Sequence, residues 1–349
     1  MCHLLVPFLM LRLYYKTRER LGRFWSAEEL AQITYTSYLT LIMEKIGLLS
    51  FLEDPRSFEE VKEFVGGVRR EDVLRKLLEV AVKGGVLQAD EDGFKVDRSG
   101  VARVKALKGQ IDYFEDEDVV YRAAETYLPK TAVEVLKGAE KDRSSPEVAL
   151  TYYWHDKSSI FKLGREMLLV MGGKGRLRGK TVLDVGCRFG TEPALILEFL
   201  DYDCRLIAAD FYPQVVDECM QKEVNVNGEV RRLFELENVS FVTLDPYVKE
   251  KFPLEDASVD VVYTFQVLQW YSSVQRIIEE FSRVLKRGGI LLVGIPLKKT
   301  DEVTAQDVFY ALAGGYRGFT VEEFKKMLKR AGFTKIQIFR SSFVVARKK

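Results

Sequence analysis

The sequence predicts an α/β domain with a mostly parallel sheet after about residue 180, preceded by a mainly helical domain. Two observations predict the sheet. Five apolar runs alternate with helical patterns, and two further runs, 335–339 and 343–346, are separated only by a short turn. Apolar strands between helices are typical of parallel sheets covered on both faces, whereas a short turn joins antiparallel strands. The 349 residues are enough for about two domains.

The five apolar runs give the predicted parallel strands. They are Thr181–Val185, Arg205–Asp210, Val239–Asp245, Val259–Phe265 and Ile290–Ile295. Ligands of open α/β sheets bind beyond the carboxyl ends of the strands. We therefore expect the functional site near Asp184, Asp210 and Asp245, which lie at or near the ends of the first three runs.

The chain is predicted to divide into residues 1–103, 104–179 and 180–349. In the first segment, capping signals such as Ser57-x-x-Glu60 begin helices, and a short hairpin follows, which predicts a winged-helix-like domain. Residues 1–100 carry 15 Lys+Arg and 16 Asp+Glu, a net charge of −1. Because DNA binding depends on phosphate neutralisation, we favour a dimerisation domain over a DNA-binding one.

The middle segment, 104–179, is rich in aromatic residues, and we interpret it as a helical linker that caps the substrate and the cofactor. Tyr153, Trp154 and His155 are candidate substrate contacts in it. A general-base role for His155 is the less common alternative to a structural histidine.

Composition and apolar patterning exclude several kinds of protein. The four cysteines contain no CxxC pair, and the near-neutral charge of +1 gives no strong nucleic-acid signal. We therefore expect a cytoplasmic protein with neither a metal site nor a transmembrane segment. The apolar residues 4–11 are too short to span a bilayer. A buried or dimer-facing helix and a membrane-surface anchor both stay open for them.

The turn after the first strand carries the most specific signal. Its spacing, Gly186-x-x-x-Gly190, is not the dinucleotide pattern GxGxxG, which argues against a nicotinamide oxidoreductase. Asp184 precedes the first glycine, and an acid there would repel a pyrophosphate and suit an ammonium or sulfonium group. Asp210 lies 20 residues after Gly190, where an acid can accept from ribose hydroxyls, and Asp245 could accept from an exocyclic amine.

Residues 180–347 resemble the class I S-adenosylmethionine-dependent methyltransferases. The resemblance rests on the 182–187 turn, Asp210, Asp245, the 252–262 stretch and residues 283–289. It implies a Rossmann-like sheet of seven strands that ends in the antiparallel hairpin, with S-adenosylmethionine as the cofactor.

The resemblance also assigns the cofactor contacts. Gly186 and Gly190 would pass the methionine moiety, Asp210 would bind the ribose, Phe211 would flank the adenine and Asp245 would meet its amine. We add Asp184 and Gln266 to this site. The middle glycine of the family's turn is Arg188 here. Such a cation would weaken cofactor binding unless it points outward or pairs with an acid such as Glu192.

Residues 27–98 resemble, more loosely, the dimerisation domain of O-methyltransferases that carry a winged helix, which implies a homodimer. Those enzymes place a catalytic histidine after the fourth strand, where this chain has Gln269, so we do not expect their histidine mechanism. The Leu268-Gln269-Trp270 run is instead similar to small-molecule carboxyl methyltransferases of the trans-aconitate and malonyl-thioester kind. Gln269, Trp270 and Tyr271 are therefore further substrate candidates.

The sequence thus predicts a methyltransferase that acts on a small, partly apolar molecule. The acceptor atom stays open, and residues 297–318 are expected to form a mobile lid over the substrate. Two alternatives are a methyltransferase with a protein or RNA substrate and a winged-helix regulator that senses the cofactor without catalysis.

Overall fold

A computed structural model of the chain describes residues 27–111, 124–139, 159–245 and 247–349. The chain forms two compact units. The first comprises Met1–Arg143 with Glu302–Arg317, and the second comprises Ser144–Asp301 with Gly318–Lys349. Within the described ranges, we find no helix that is both long enough and apolar enough to cross a membrane.

The first unit is helical, with one small hairpin. Its elements are α1 (Ala27–Lys45), α2 (Leu48–Phe51), α3 (Phe58–Val65), α4 (Glu71–Lys83), β1 (Leu87–Asp90), β2 (Gly93–Val96), α5 (Arg98–Ile111), α6 (Leu128–Leu136) and α12 (Ala305–Leu312). The capping box of Ser57 and Glu60 begins α3 as predicted, and β1 pairs antiparallel with β2. The order of helices and hairpin agrees with the predicted one, and the winged-helix assignment stays a prediction.

Helix α12 corrects the expectation of a mobile lid over 297–318. Its first turn is capped by Thr304, and its apolar face is buried in the first unit, where it packs against α1, α4 and α6. The Phe309 ring lies 5.3 Å from the Tyr35 ring and 5.6 Å from the Tyr38 ring, measured between centroids. A helix held by such buried aromatic contacts is part of a core.

The predicted division at residues 103 and 179 also differs from the units. Helix α5 runs through residue 103 without interruption, and both α5 and α6 belong to the first unit. The described residues from 159 to 177 instead pack in the second unit. The middle segment is therefore shared between two cores, because its helices bury their apolar faces on different partners.

The second unit is a seven-stranded sheet between helices. Its helices are α7 (Ser159–Gly172), α8 (Lys174–Leu177), α9 (Thr191–Phe199), α10 (Pro213–Met220), α11 (Val274–Val284) and α13 (Val321–Arg330). The strands of the main sheet are β3 (Lys180–Val185), β4 (Cys204–Asp210), β7 (Val239–Thr243), β8 (Val259–Phe265), β9 (Leu285–Gly294), β12 (Phe333–Phe339) and β13 (Phe343–Lys348).

The strand order is β12-β13-β9-β8-β3-β4-β7, with β13 antiparallel to both of its neighbours and the other pairs parallel. This confirms the predicted Rossmann-like sheet and its terminal hairpin. Strand β3 lies between β4 and β8. The carboxyl ends of these three strands therefore meet at one edge of the sheet.

Alternate residues of each strand enter two different cores. Val182 packs in one hydrophobic cluster with Leu168 of α7, and Leu183 packs in the other with Phe281 of α11. Burial on both faces explains why the predicted strands are continuous apolar runs rather than alternating ones.

Two short pairings were not predicted. Strands β5 (Glu223–Val226) and β6 (Glu229–Arg232) form a hairpin whose turn is Asn227-Gly228, with φ of 53° and 94°. Asn-Gly between such runs is a strong hairpin signal, so the sequence carried the information. Strands β10 (Leu297–Lys298) and β11 (Phe319–Thr320) pair in parallel, at the two ends of the segment that contains α12.

Candidate cofactor site

A crevice of about 250 Å³ lies at the carboxyl ends of β3, β4 and β8, within the second unit. It is lined by Gly186, Arg188, Asp210, Phe211, Gln266, Val267, Trp270 and Tyr271. Six of these eight residues are predicted site residues; Arg188 and Val267 are the other two. The crevice thus lies at the edge of the sheet where the sequence predicts the site, and the roles of these residues stay predictions.

Gly186 brings the backbone of the turn close to the crevice. Its φ of 96° is unfavourable for other residues, and a Cβ atom there would clash with the side chain of Val267. Gly190, with φ of 83°, precedes the first turn of α9, and a Cβ atom there would lie 2.5 Å from that of Lys222. The absence of side chains at both positions is thus required by the local geometry.

Asp210 ends β4 as a buried carboxylate. Its Oδ2 accepts from the backbone N of Arg188 at 3.1 Å, and its Oδ1 accepts from the backbone N of Phe211 at 2.7 Å. Burial raises the pKa of Asp210 to about 6, although these hydrogen bonds oppose the shift. The backbone N of Tyr212 also donates to this carboxylate, which keeps an acceptor position for a ligand hydroxyl.

Asp184 is fully buried near the end of β3. Among the described residues, neither of its carboxylate oxygens has a hydrogen-bond partner. Burial, followed by the negative charge of Glu192, raises the pKa of Asp184 well above its usual range. An unpartnered buried carboxyl is costly, and a cationic or hydrogen-bond-donating ligand group would relieve that cost.

Arg188 is buried and pairs with Glu192, one of the two arrangements predicted above. Its Nη1 donates to Oε1 of Glu192, and the same oxygen accepts from Nε of Arg165 at 2.8 Å. Nη2 of Arg188 donates to the carbonyl oxygen of Phe265 at 2.7 Å. The cation is therefore balanced by Glu192 rather than directed outward to solvent.

The loop after β8 forms the aromatic wall of the crevice. The Tyr271 ring lies 4.5 Å from the Phe211 ring, and Trp270 is half-buried beside it. Gln269 is buried and does not line the crevice; its Nε2 donates to Oε1 of Gln266 at 2.8 Å. An amide in this position cannot act as a general base.

The glycine turn, the buried acid at the end of β4 and the aromatic wall together suit a ligand with a hydroxyl-bearing sugar and a flat base. Residues 183–293 match the protein family described as "Methyltransferase domain". The second unit is a class I S-adenosylmethionine-dependent methyltransferase domain. The glycine turn and strands β4 and β8 lie within the matched residues, and β3 ends within them.

Known relatives of this methyltransferase domain are distant. A Mycolicibacterium smegmatis protein named "Probable S-adenosylmethionine-dependent methyltransferase" is 28% identical over 195 residues, 55% of this chain and 63% of the relative. The malonyl-[acyl-carrier protein] O-methyltransferase of a Methylovorus strain is 28% identical over 173 residues, 48% of this chain and 55% of the relative. The chain thus spans less than two thirds of the length of these curated relatives.

The fold of the chain also resembles solved methyltransferases. The CurJ carbon methyltransferase superposes with a TM-score of 0.64, covering 92% of this chain and 91% of the other, at 17% sequence identity. At this identity, the similarity shows the fold alone.

Asp184, Gly190 and Gln269 do not line the crevice, and neither does Asp245. Asp245 follows β7 and accepts from the backbone N of Tyr247 at 2.9 Å and of Lys249 at 2.6 Å. Partial burial opposes its ionisation, but these hydrogen bonds outweigh burial and lower its pKa. Asp245 thus closes its own turn, and its contact with adenine stays a prediction.

The remaining site predictions have mixed outcomes. Tyr153, Trp154 and His155 lie outside the described residues. Cys187 is a buried thiol, and burial raises its pKa well above the usual range, so it is not a nucleophile. In the part of the chain that the structure describes, His, Cys, Asp and Glu form no group of three able to hold a metal ion.

Sequence reasoning missed Arg165 and Val267. Arg165 lies in the mostly apolar helix α7 and has a fully buried side chain. The available signal was a charged residue among the apolar residues of α7, because a buried arginine needs an acidic partner. Val267 gave no signal, since it borders Gly186 only through the packing of two loops.

Proposed function

We propose that the protein transfers a methyl group from S-adenosylmethionine to a small, partly apolar molecule. The observation that carries the proposal is the crevice at the ends of β3, β4 and β8, which is lined by a glycine of the first turn, a buried acid and an aromatic wall.

The residues of the crevice fit the parts of the cofactor. Asp210 would accept hydrogen bonds from the ribose hydroxyls, and Phe211 would pack against the adenine. Asp184 does not line the crevice, so its fully buried carboxyl would meet the cofactor only after a local rearrangement. Gly186 would leave room for the methionine moiety. When bound, the cofactor supplies a methyl group already activated by its sulfonium, so the protein contributes alignment and exclusion of water.

The acceptor that fits best is one that needs no proton removed. Gln269 takes the place of a catalytic histidine and is bonded to Gln266, so neither side chain can remove a proton. A carboxylate is already ionised at neutral pH, which makes methyl transfer to a carboxylate oxygen our preferred reaction. The O-methyltransferase named above is consistent with this choice.

The experiment is calorimetric titration of the protein with S-adenosylmethionine and S-adenosylhomocysteine, followed by transfer of a radiolabelled methyl group to pooled small carboxylic acids. We expect micromolar binding of both ligands and label in an ester that alkali hydrolyses. Gly186→Val should bind neither ligand. Failure of the unaltered protein to bind either ligand would refute the proposal, and alkali-stable label would refute the carboxylate acceptor.

The homodimer is a separate proposal, which rests on the likeness of residues 27–98 to a dimerisation domain. Light scattering of the full chain should give about twice the mass of one chain, 40.1 kDa. A single-chain mass at micromolar concentration would refute it.

A further inference from the structure

Arg188 contacts both sides of the crevice, although the resembling family has a glycine at its position. Its backbone has φ of 45°, the left-handed conformation that glycine adopts readily, and only 3% of its surface is exposed. The side chain therefore extends into the protein from the cofactor turn. The hydrogen-bond partners of the Arg188 side chain show which elements of the site it connects.

One end of the guanidinium is fixed to a rigid acid. Glu192, on α9, is 1% exposed, and its Oε1 accepts from both Arg188 and Arg165. Arg165 belongs to α7, so the ion-paired group joins the cofactor turn to two helices. Removing Arg188 would leave Glu192 paired with Arg165 at 2.8 Å, and it would also remove a positive charge close to Asp210 and Asp184.

The other end of the guanidinium holds the start of the loop after β8. Nη2 donates to the carbonyl oxygens of Phe265 at 2.7 Å and Gln266 at 3.3 Å. Gln266 has φ of 56°, a conformation that costs a non-glycine residue free energy and persists only when its surroundings hold it. The side chain of Gln266 is held in turn by Gln269.

We propose that Arg188 is a positioning residue that fixes the loop after β8 against the cofactor turn, and so orients Trp270 and Tyr271. The inference that this aromatic wall faces a methyl acceptor rests on the proposed function. The rigid fork of an arginine reaches Glu192 with one nitrogen and the two carbonyls with the other. A lysine has one nitrogen and cannot span both.

The test follows the loop itself through Trp270. The chain has three tryptophans, so Trp25→Phe with Trp154→Phe leaves Trp270 as the reporter. In this background we compare Arg188→Gly, Arg188→Lys and the control Arg283→Lys by acrylamide quenching of fluorescence. The control arginine also joins an acid, Glu280, to two carbonyls, those of Phe252 and Leu254, but away from the crevice.

We expect quenching of Trp270 to increase about twofold or more in Arg188→Gly and to a smaller extent in Arg188→Lys, because the loop opens locally. The far-ultraviolet circular dichroism spectrum should stay unchanged, since only the loop is released. The Arg283→Lys protein should match the background protein in both measurements.

Two results would overturn the proposal. They are unchanged quenching in Arg188→Gly and equal increases in Arg188→Gly and Arg283→Lys. If the unaltered protein does not bind S-adenosylhomocysteine, the proposed function fails, and the quenching comparison still decides whether Arg188 holds the loop.

Discussion

Lowering the pH from about 8 to about 5 is expected to weaken binding of S-adenosylhomocysteine about tenfold, because Asp210 takes up a proton. Burial raises the pKa of Asp210 to about 6 in the ligand-free protein. Ribose hydroxyls need acceptors, and a protonated carboxyl has lost one of its acceptor positions. Binding is therefore at full strength only well above pH 6, and the affinity falls as the pH drops through that value.

The assay is calorimetric titration at several pH values. S-adenosylhomocysteine is the suitable ligand because it has the ribose but no sulfonium, which reduces the influence of the nearby Asp184. The control is Asp210→Asn, which does not titrate. It should bind about 10- to 100-fold more weakly at pH 8, the loss of a charge-assisted hydrogen bond, and should lack the step near pH 6.

Two results would refute the assignment. A flat profile in the unaltered protein would show that the ionised form of Asp210 is not needed. The same step in Asp210→Asn would assign the titration to another group, of which buried Asp184 is the nearest candidate.

Three further predictions concern packing and accessibility. Gly186→Ala should weaken cofactor binding about a hundredfold while the circular dichroism spectrum is kept, and binding within threefold of normal would show that the turn tolerates a side chain. Thr304→Ala should lower the free energy of unfolding of the first unit by about 1 kcal/mol through loss of the α12 cap, as measured by urea denaturation; an unchanged midpoint would contradict a structural role for the cap. In Cys2→Ser, the three remaining cysteines are buried, so a thiol reagent should label the protein only after unfolding; rapid labelling of native protein would contradict their burial.

Much of the second unit could be predicted because its local patterns and its packing agree. The run 259–265 matches β8 residue by residue, since a strand buried on both faces appears as a continuous apolar run. The short turn between 339 and 343 allowed only antiparallel pairing, which β12 and β13 show.

Other features depend on contacts between distant segments, which local patterns do not contain. Helix α12 follows the fifth parallel strand in sequence, yet its buried face completes a core formed by residues near 35. The pairing of Arg188 with Glu192 could be predicted from the sequence, because the two residues lie four apart where the turn leads into α9. The second ion pair of Glu192, with Arg165, could not be predicted, because Arg165 is distant in the sequence. The turn contacts of Asp245 likewise appear only when its loop is folded.

The most direct test of the account is a crystal structure of the protein grown with S-adenosylhomocysteine. We predict density in the crevice with the ribose within hydrogen-bond distance of Asp210, the adenine against Phe211 and the amino acid tail beside Gly186. A ligand bound elsewhere, or an empty crevice at saturating ligand, would contradict the central claim.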